Sequence, residues 1–339
     1  MSKNEKQTAN CDVACRLKTS IGGQALIEGI MMRGPKTTAM AVRDPKGEIV
    51  MEEWPTTTKK RARILRLPVV RGIFNFVDTM RFGYKCLMRS AEIAGLDEVT
   101  EDAPERDEAV NDAQETPSSS TEEKKKEEPS WMMNLMIVIA SILGIGLAIV
   151  LFVWLPSQIY AWLPESVFPM ENRYLKSVFE GVCKMLLLVG YMAAVSLMKD
   201  IRRTYMYHGA EHKTIFCYEA GLELTVENVR RMRRFHPRCG TSFLMLMVLV
   251  SILVGFFIPP AWPTLLRALV KLLLIPLTVG IGYELIKLAG RRDNVLTRII
   301  SAPGLLLQRL TVYEPDDGMI ECAIAAMNRA IPDDGSDKI

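Results

Sequence analysis

The sequence predicts a mainly α-helical, polytopic membrane protein with about four transmembrane helices, a small cytoplasmic N-terminal β-containing unit and an amphipathic helix. Three observations carry that prediction. From Trp131 onward the chain contains apolar runs of about the length that crosses a bilayer, roughly 17–25 residues. Apolar residues make up 49% of the chain and mean hydropathy is +0.13, high for a soluble protein. Charge is also divided, since residues 97–130 carry 13 acidic and 4 basic side chains within a chain of net charge +3. The rest is therefore basic, as suits a protein lying against anionic lipid headgroups. Because the basic residues cluster beside apolar runs, the expected partner is the lipid bilayer, with no nucleic acid.

Residues 1–20 are polar, lack the apolar core of a cleavable signal and read as a flexible tail. The seven cysteines, at 11, 15, 86, 183, 217, 239 and 322, have no framework-like spacing, so disulfides are not expected in a reducing cytosol. Cys11 and Cys15 are either incidental thiols in the tail or a second metal site.

Residues 21–96 form the next unit. Gly22 to Pro35 is a strand-like run bracketed by glycines, and Thr38–Arg43 and Glu48–Glu53 flank the turn signal Asp44-Pro45-Lys46-Gly47. About three strands are expected over residues 21–55. Over Pro68–Ala94, Arg71, Asp78, Arg81, Lys85 and Arg89 recur at helical spacing opposite Val70, Ile73, Val77, Met80, Tyr84, Leu87 and Met88. This amphipathic helix either lies in the membrane interface or packs on the rest of the protein. Residues 97–130 are too poor in large apolar groups to offset chain entropy and read as a disordered acidic linker.

Four spans are expected: Met132–Leu155, Lys176–Met198, Ser242–Ile258 and Leu265–Ala289. The first pair occupies residues 131–198 and the second 242–289, with a loop at 199–241 and a tail of short helices at 290–339. Glu180 and Lys184 are spaced for a salt bridge within the second span. Pro276 should kink the fourth. The loop 199–241 and the tail are rich in Arg and Lys, whereas 156–175 and 259–264 are nearly free of them. The positive-inside rule then places both termini and the loop in the cytoplasm.

That loop holds the candidate chemistry. His208, His212 and His236 are the three histidines of the chain, and Cys239 follows closely. Imidazole and thiolate together suit a divalent metal, zinc above all. On a helix His208 and His212 share a face with Glu211, which is placed to deprotonate a metal-bound water. The order H-x-x-E-H is that of inverted-zincin peptidases. Pro237 and Gly240 favour a turn presenting His236 and Cys239. Two, three or four of these donors would coordinate. Four close the site and make it structural, and three leave the open position that catalysis needs. Glu284 lies roughly 10 Å inside the fourth span, either as a ligand at the same membrane face or as the partner of Lys287 or another span's cation. The run Arg230-Arg231-Met232-Arg233-Arg234 reads as a headgroup anchor or a clamp for phosphate or carboxylate.

Three strings, G-G-Q-A-L-I-E-G-I-M-M-R-G-P, Y-H-G-A-E-H-K-T-I-F-C-Y-E with H-P-R-C-G-T-S-F, and Y-E-L-I-K with P-G-L-L-L-Q-R-L-T, together resemble the YqhQ family of bacterial membrane proteins. The resemblance covers about residues 20–330, interrupted by the acidic linker. His208, Glu211, His212, His236, Cys239 and Glu284 match its motif positions. It implies a multi-pass protein of the bacterial inner membrane and a metal-dependent enzyme, without naming a reaction.

Read together, these features predict a metal-dependent hydrolase at the cytoplasmic membrane face, acting on a peptide or lipid-linked substrate. A non-enzymatic scaffold or regulator with a structural metal, and a small transporter drawing on Glu180, Lys184, Lys271 and Glu284, are the alternatives.

Overall fold

The computed structural model describes residues 17–56, 67–95, 130–166, 172–237, 239–259, 261–291 and 295–338. The expected acidic linker, apart from Ser130, and the Cys11–Cys15 pair lie outside the described residues.

Among the described residues the N-terminal unit is a four-stranded antiparallel meander: β1 (Gly22–Leu26), β2 (Gly29–Arg33), β3 (Thr37–Arg43) and β4 (Ile49–Pro55), in that spatial order. The expected single run Gly22–Pro35 is two strands. Leu26 pairs with Gly29, so Ile27 and Glu28 form a two-residue hairpin turn. Glu28 sits there at φ +49, a conformation usually signalled by Gly or Asn. Contacts from afar hold it, since the Arg203 guanidinium and the Tyr207 hydroxyl both bind its carboxylate. The β3–β4 turn is local: Asp44 Oδ1 accepts from the amides of Lys46 and Glu48, and Gly47 takes φ +89.

Side-chain alternation gives the sheet two buried faces. Ile30, Met32 and Ala41 join Tyr207, Ala210 and Ile215 of α5 (Lys199–Glu219) and Ile320 and Met327 of α11 (Asp317–Ala330) in the main core. Met31, Met40 and Val42 face Cys86 of α1 (Val70–Ile93) on the other side. The chain end expected as a tail is therefore a core helix. Residues 17–20 are docked too, because Thr19 Oγ1 donates to Asp337 and the Thr19 amide to Glu219.

The apolar helices follow. α2 (Ser130–Ile149) continues through a π-helical turn, Val150–Trp154, into α3 (Leu155–Trp162), and α4 is Arg173–Val195. Short α6 (Val226–Arg230) precedes α7 (Gly240–Gly255), α8 (Thr264–Leu273), α9 (Ile275–Arg291) and α10 (Val295–Thr311). Among the described residues two helices, Val138–Trp162 and Arg173–Val195, are long and apolar enough to cross a membrane. Leu265–Leu273 and Ile275–Leu288, bent by 45°, make a third if they are one span. The break falls at Leu274, just before Pro276, where a ring without an N–H cannot continue the ladder. The expected third span is the shorter helix Gly240–Gly255.

Three expected polar pairings differ. Glu180 binds Arg267 and Lys271 of α8 rather than Lys184 on its own helix. Glu284 receives a two-pronged bond from Arg71 of α1, at 2.6 and 2.5 Å. The run 230–234 is engaged within the protein. Arg230 pairs with Asp317, Arg231 with Glu227 and Arg234 with Glu314, while Arg233 covers the Phe216 ring. Apart from the local Arg231–Glu227 pair, a neighbouring element brings the partner, a choice that spacing along one helix cannot express.

Candidate metal centre

Helix α5 places His208 and His212 one turn apart, with ring centroids 4.4 Å from each other. Cys239, which caps α7, enters from the opposite side, and its Sγ lies 3.1 Å from His208 Nε2. One ligand atom from each of the three residues lies within 4.8 Å of the other two, a grouping that could hold a metal ion.

The backbone fixes how the rings present themselves. His208 Nδ1 is 2.9 Å from the Thr311 carbonyl, and His212 Nδ1 is 2.6 Å from the Arg234 carbonyl. A carbonyl only accepts, so each Nδ1 carries a proton, and Nε2 is the ring atom that His208 turns toward Cys239. Such outer hydrogen bonds orient histidine ligands in metal sites. Gly209 makes the first possible, since a Cβ there would stand 1.9 Å from the Tyr313 carbonyl oxygen and push the α10–α11 connection away.

Glu211 lies beside the donors and is 6% exposed. Its Oε1 accepts from the Gly23 amide at 3.1 Å. Burial pushes its carboxyl up to about 7, with the Cys239 charge adding to the rise and His208 and the Gly23 bond opposing it. Burial holds His212 below the usual imidazole range, with His208 acting in the same direction. The Cys239 thiol is held low despite burial, which opposes ionisation, because His212 and Thr241 favour its anion. A cavity of about 550 Å³ runs past Glu211, His212, His236 and Cys239 to Gly23, Tyr283 and Lys287.

His236 borders that cavity without joining the three-donor group. Its ring is 5.7 Å from His212 and 4.5 Å from Phe216, and its Nε2 is 3.6 Å from the Glu219 carboxylate. Gln308 clamps its turn, accepting from the His236 amide and donating to the His236 carbonyl, both at 2.8 Å. Glu284, engaged by Arg71, is outside the group as well. Sequence reasoning missed Gly23, Glu219 and Gln308. All three stand inside the quoted strings, but nothing in their spacing announces what they touch. The carbonyls of Thr311 and Arg234 carry no sequence signal.

The chain belongs to the DUF1385 family. That family is described as proteins of unknown function, and its match covers residues 67–333. The chain is also similar to the "Uncharacterized protein YqhQ" of Bacillus subtilis (strain 168), 32% identical over 320 residues and 93% of each chain. This second match is long enough to take in part of the chain N-terminal to the family match, where Gly23 contacts Glu211. No solved structure matches.

Proposed function

We propose that this family member is a multi-pass membrane protein with a zinc-dependent hydrolytic site at its cytoplasmic face. The observation that carries the reading is the convergence of His208, His212 and Cys239 beside the buried Glu211, with His212, Cys239 and Glu211 lining one cavity. The donor set fits the ion: two imidazoles with Nδ1 committed to carbonyls, and a thiol held in a low range. Three protein donors leave a fourth position, at which zinc would lower the pKa of a water to about 7.

The residues of the chain do the rest. Glu211 accepts a proton, and the Gly23 amide holds its carboxylate in place. Tyr283 and Lys287 form the α9 side of the cavity, where a peptide or lipid-linked substrate approaching along the membrane would enter. Support for the membrane setting comes from α2 and α4, whose Leu143 and Leu186 are each 67% exposed. The α1 stripe of Phe74, Val77, Met80, Tyr84 and Met88 is exposed as well and suits the interface. With α7 extended by hydrogen bonds to Ile258 and the bent α8–α9 pair taken as one span, four passes put both termini inside.

The test is metal analysis of detergent-purified protein together with comparison of peptides and lipids in cells carrying wild type or Glu211→Gln. Expected are one zinc in both proteins, loss of zinc in His208→Ala and Cys239→Ala, and a substrate that accumulates with Glu211→Gln. A wild type that stays empty when zinc is offered refutes the reading. A second reading, a structural site in a scaffold or regulator, follows if His236 closes the sphere from its place beside His212. A cobalt-substituted spectrum insensitive to small anions would select it.

A further inference from the structure

At the far end of the bundle lies a second cluster that the hydrolytic reading does not use. Lys176, Glu180 and Lys184 recur every four residues and so share one stripe of α4, while Arg267 and Lys271 share one stripe of α8. Glu180 lies roughly 22 Å along the α4 axis from the end that leads into α5 and the histidines. Lys176, Glu180 and Arg267 are 3%, 2% and 4% exposed. All four cations are in electrostatic contact with Glu180, and several with one another. Among the described residues Glu180 is the one carboxylate in the cluster.

That imbalance is costly in an apolar setting if all four carry their charge. A buried ion pair is tolerated when the geometry is good, but each further unneutralised cation is strongly disfavoured. Glu180 uses both oxygens, one toward Arg267 at 3.2 Å and the other toward Lys271. Arg267 Nε is buried with no hydrogen-bond partner among the described residues. Lys184 makes no ion pair among the described residues. It lines, together with Lys271, Ser251 and Thr278, a cavity of about 230 Å³ between the π-helical turn, α4, α7, α8 and α9 whose other walls are apolar. Such a volume is below that of an ordinary small-molecule pocket and suits a compact charged group.

We propose that this cavity is an anion site for a phosphate group, with Lys184 and Lys271 contacting the anion and Arg267 and Lys176 adding positive field behind them. Phosphate matches the requirement best, because its several charged oxygens accept from more than one ammonium at once. The helix rise places the cluster in the outer half of the bilayer if α4 spans it, so this placement rests on the membrane reading above. It does not rest on the metal. The phosphate comes either from an anionic phospholipid or from a soluble phosphate.

The experiment uses full-length protein in detergent with two probes, phosphatidylglycerol against phosphatidylcholine by native mass spectrometry, and inorganic phosphate by thermal stabilisation. Wild type should bind one probe saturably, and Lys184→Met should weaken that binding by at least about tenfold, or 1.4 kcal/mol. Lys271→Met should do the same, and if it fails to fold Lys184→Met decides alone. Retention of phosphatidylglycerol over phosphatidylcholine with phosphate inert identifies a lipid headgroup, and the reverse identifies a soluble anion. Wild type that takes up neither probe, or a Lys184→Met protein that binds as wild type does, overturns the site and means that the lysines reside there uncharged. Zinc content, read on the same samples, separates this result from the fate of the histidine centre.

Discussion

Replacing Gly23 by Ala tests whether β1 holds the proposed base in place. A Cβ on residue 23 would stand 2.8 Å from both Cγ and Cδ of Glu211 and 2.9 Å from the Met31 carbonyl oxygen. The carbonyl belongs to the β1–β2 ladder and cannot retreat without breaking it, so Glu211 must move. That movement costs about 1–3 kcal/mol of overpacking and strains the Gly23 N–H bond to Glu211, worth about 1.5–3 kcal/mol with a charged acceptor. Gly23→Ala should therefore destabilise by about 3 kcal/mol or more. Glu211→Ala vacates the space the new methyl needs. The double variant should then be more stable than the sum of the two singles by about 1–3 kcal/mol. Thermal unfolding of the purified single and double variants measures this, with zinc content recorded alongside. Additivity to within about 0.5 kcal/mol would mean that residues 23 and 211 do not touch, and the base would lose its anchor.

Three further outcomes are expected. Arg71→Ala should lower the melting temperature while leaving zinc content at the wild-type level, because its partner Glu284 pairs with it and not with the histidines; parallel loss of zinc would return Glu284 to the donor set. Gln308→Ala should destabilise by about 2–5 kcal/mol, since it strips partners from the buried amide and carbonyl of His236, and an unchanged unfolding midpoint would contradict the clamp. Alkaline pH should unfold the protein through Cys86, Cys217 and Cys322, each pushed up to about 11 by burial, and Tyr218, pushed up to about 12 by burial and its bond to Asp337. Raised folded values mean that this stability is complete below the unfolded values of 9.0 and 10.0 and is lost as pH rises through 11 and 12. Melting temperatures across pH 8–11 should fall with a slope that replacing the three cysteines by alanine reduces.

Much of the site's local geometry could be read from the chain. The four-residue step from His208 to His212 places both rings on one face wherever a helix forms, and Glu211 comes with them. The turn at Asp44–Gly47 and the break near Pro276 likewise follow from residues within a few positions of one another. The sequence was silent where partners are far apart. The hairpin at Glu28 has no glycine to announce it, because Arg203 and Tyr207 hold it from α5.

What the sequence by itself determined is therefore periodic: which stretches are apolar helices, which faces they present, and that imidazoles and a thiol crowd one short segment. Tertiary structure alone decided that Cys239 meets both histidines while His236 turns toward Glu219, that Glu284 goes to Arg71, and that Glu180 goes to α8. The physical reason is reach. Helix and strand periods are set by bonds between near neighbours, so a short window encodes them. Which of several chemically equivalent partners a side chain meets depends on how distant elements pack, and that is fixed by the whole core at once.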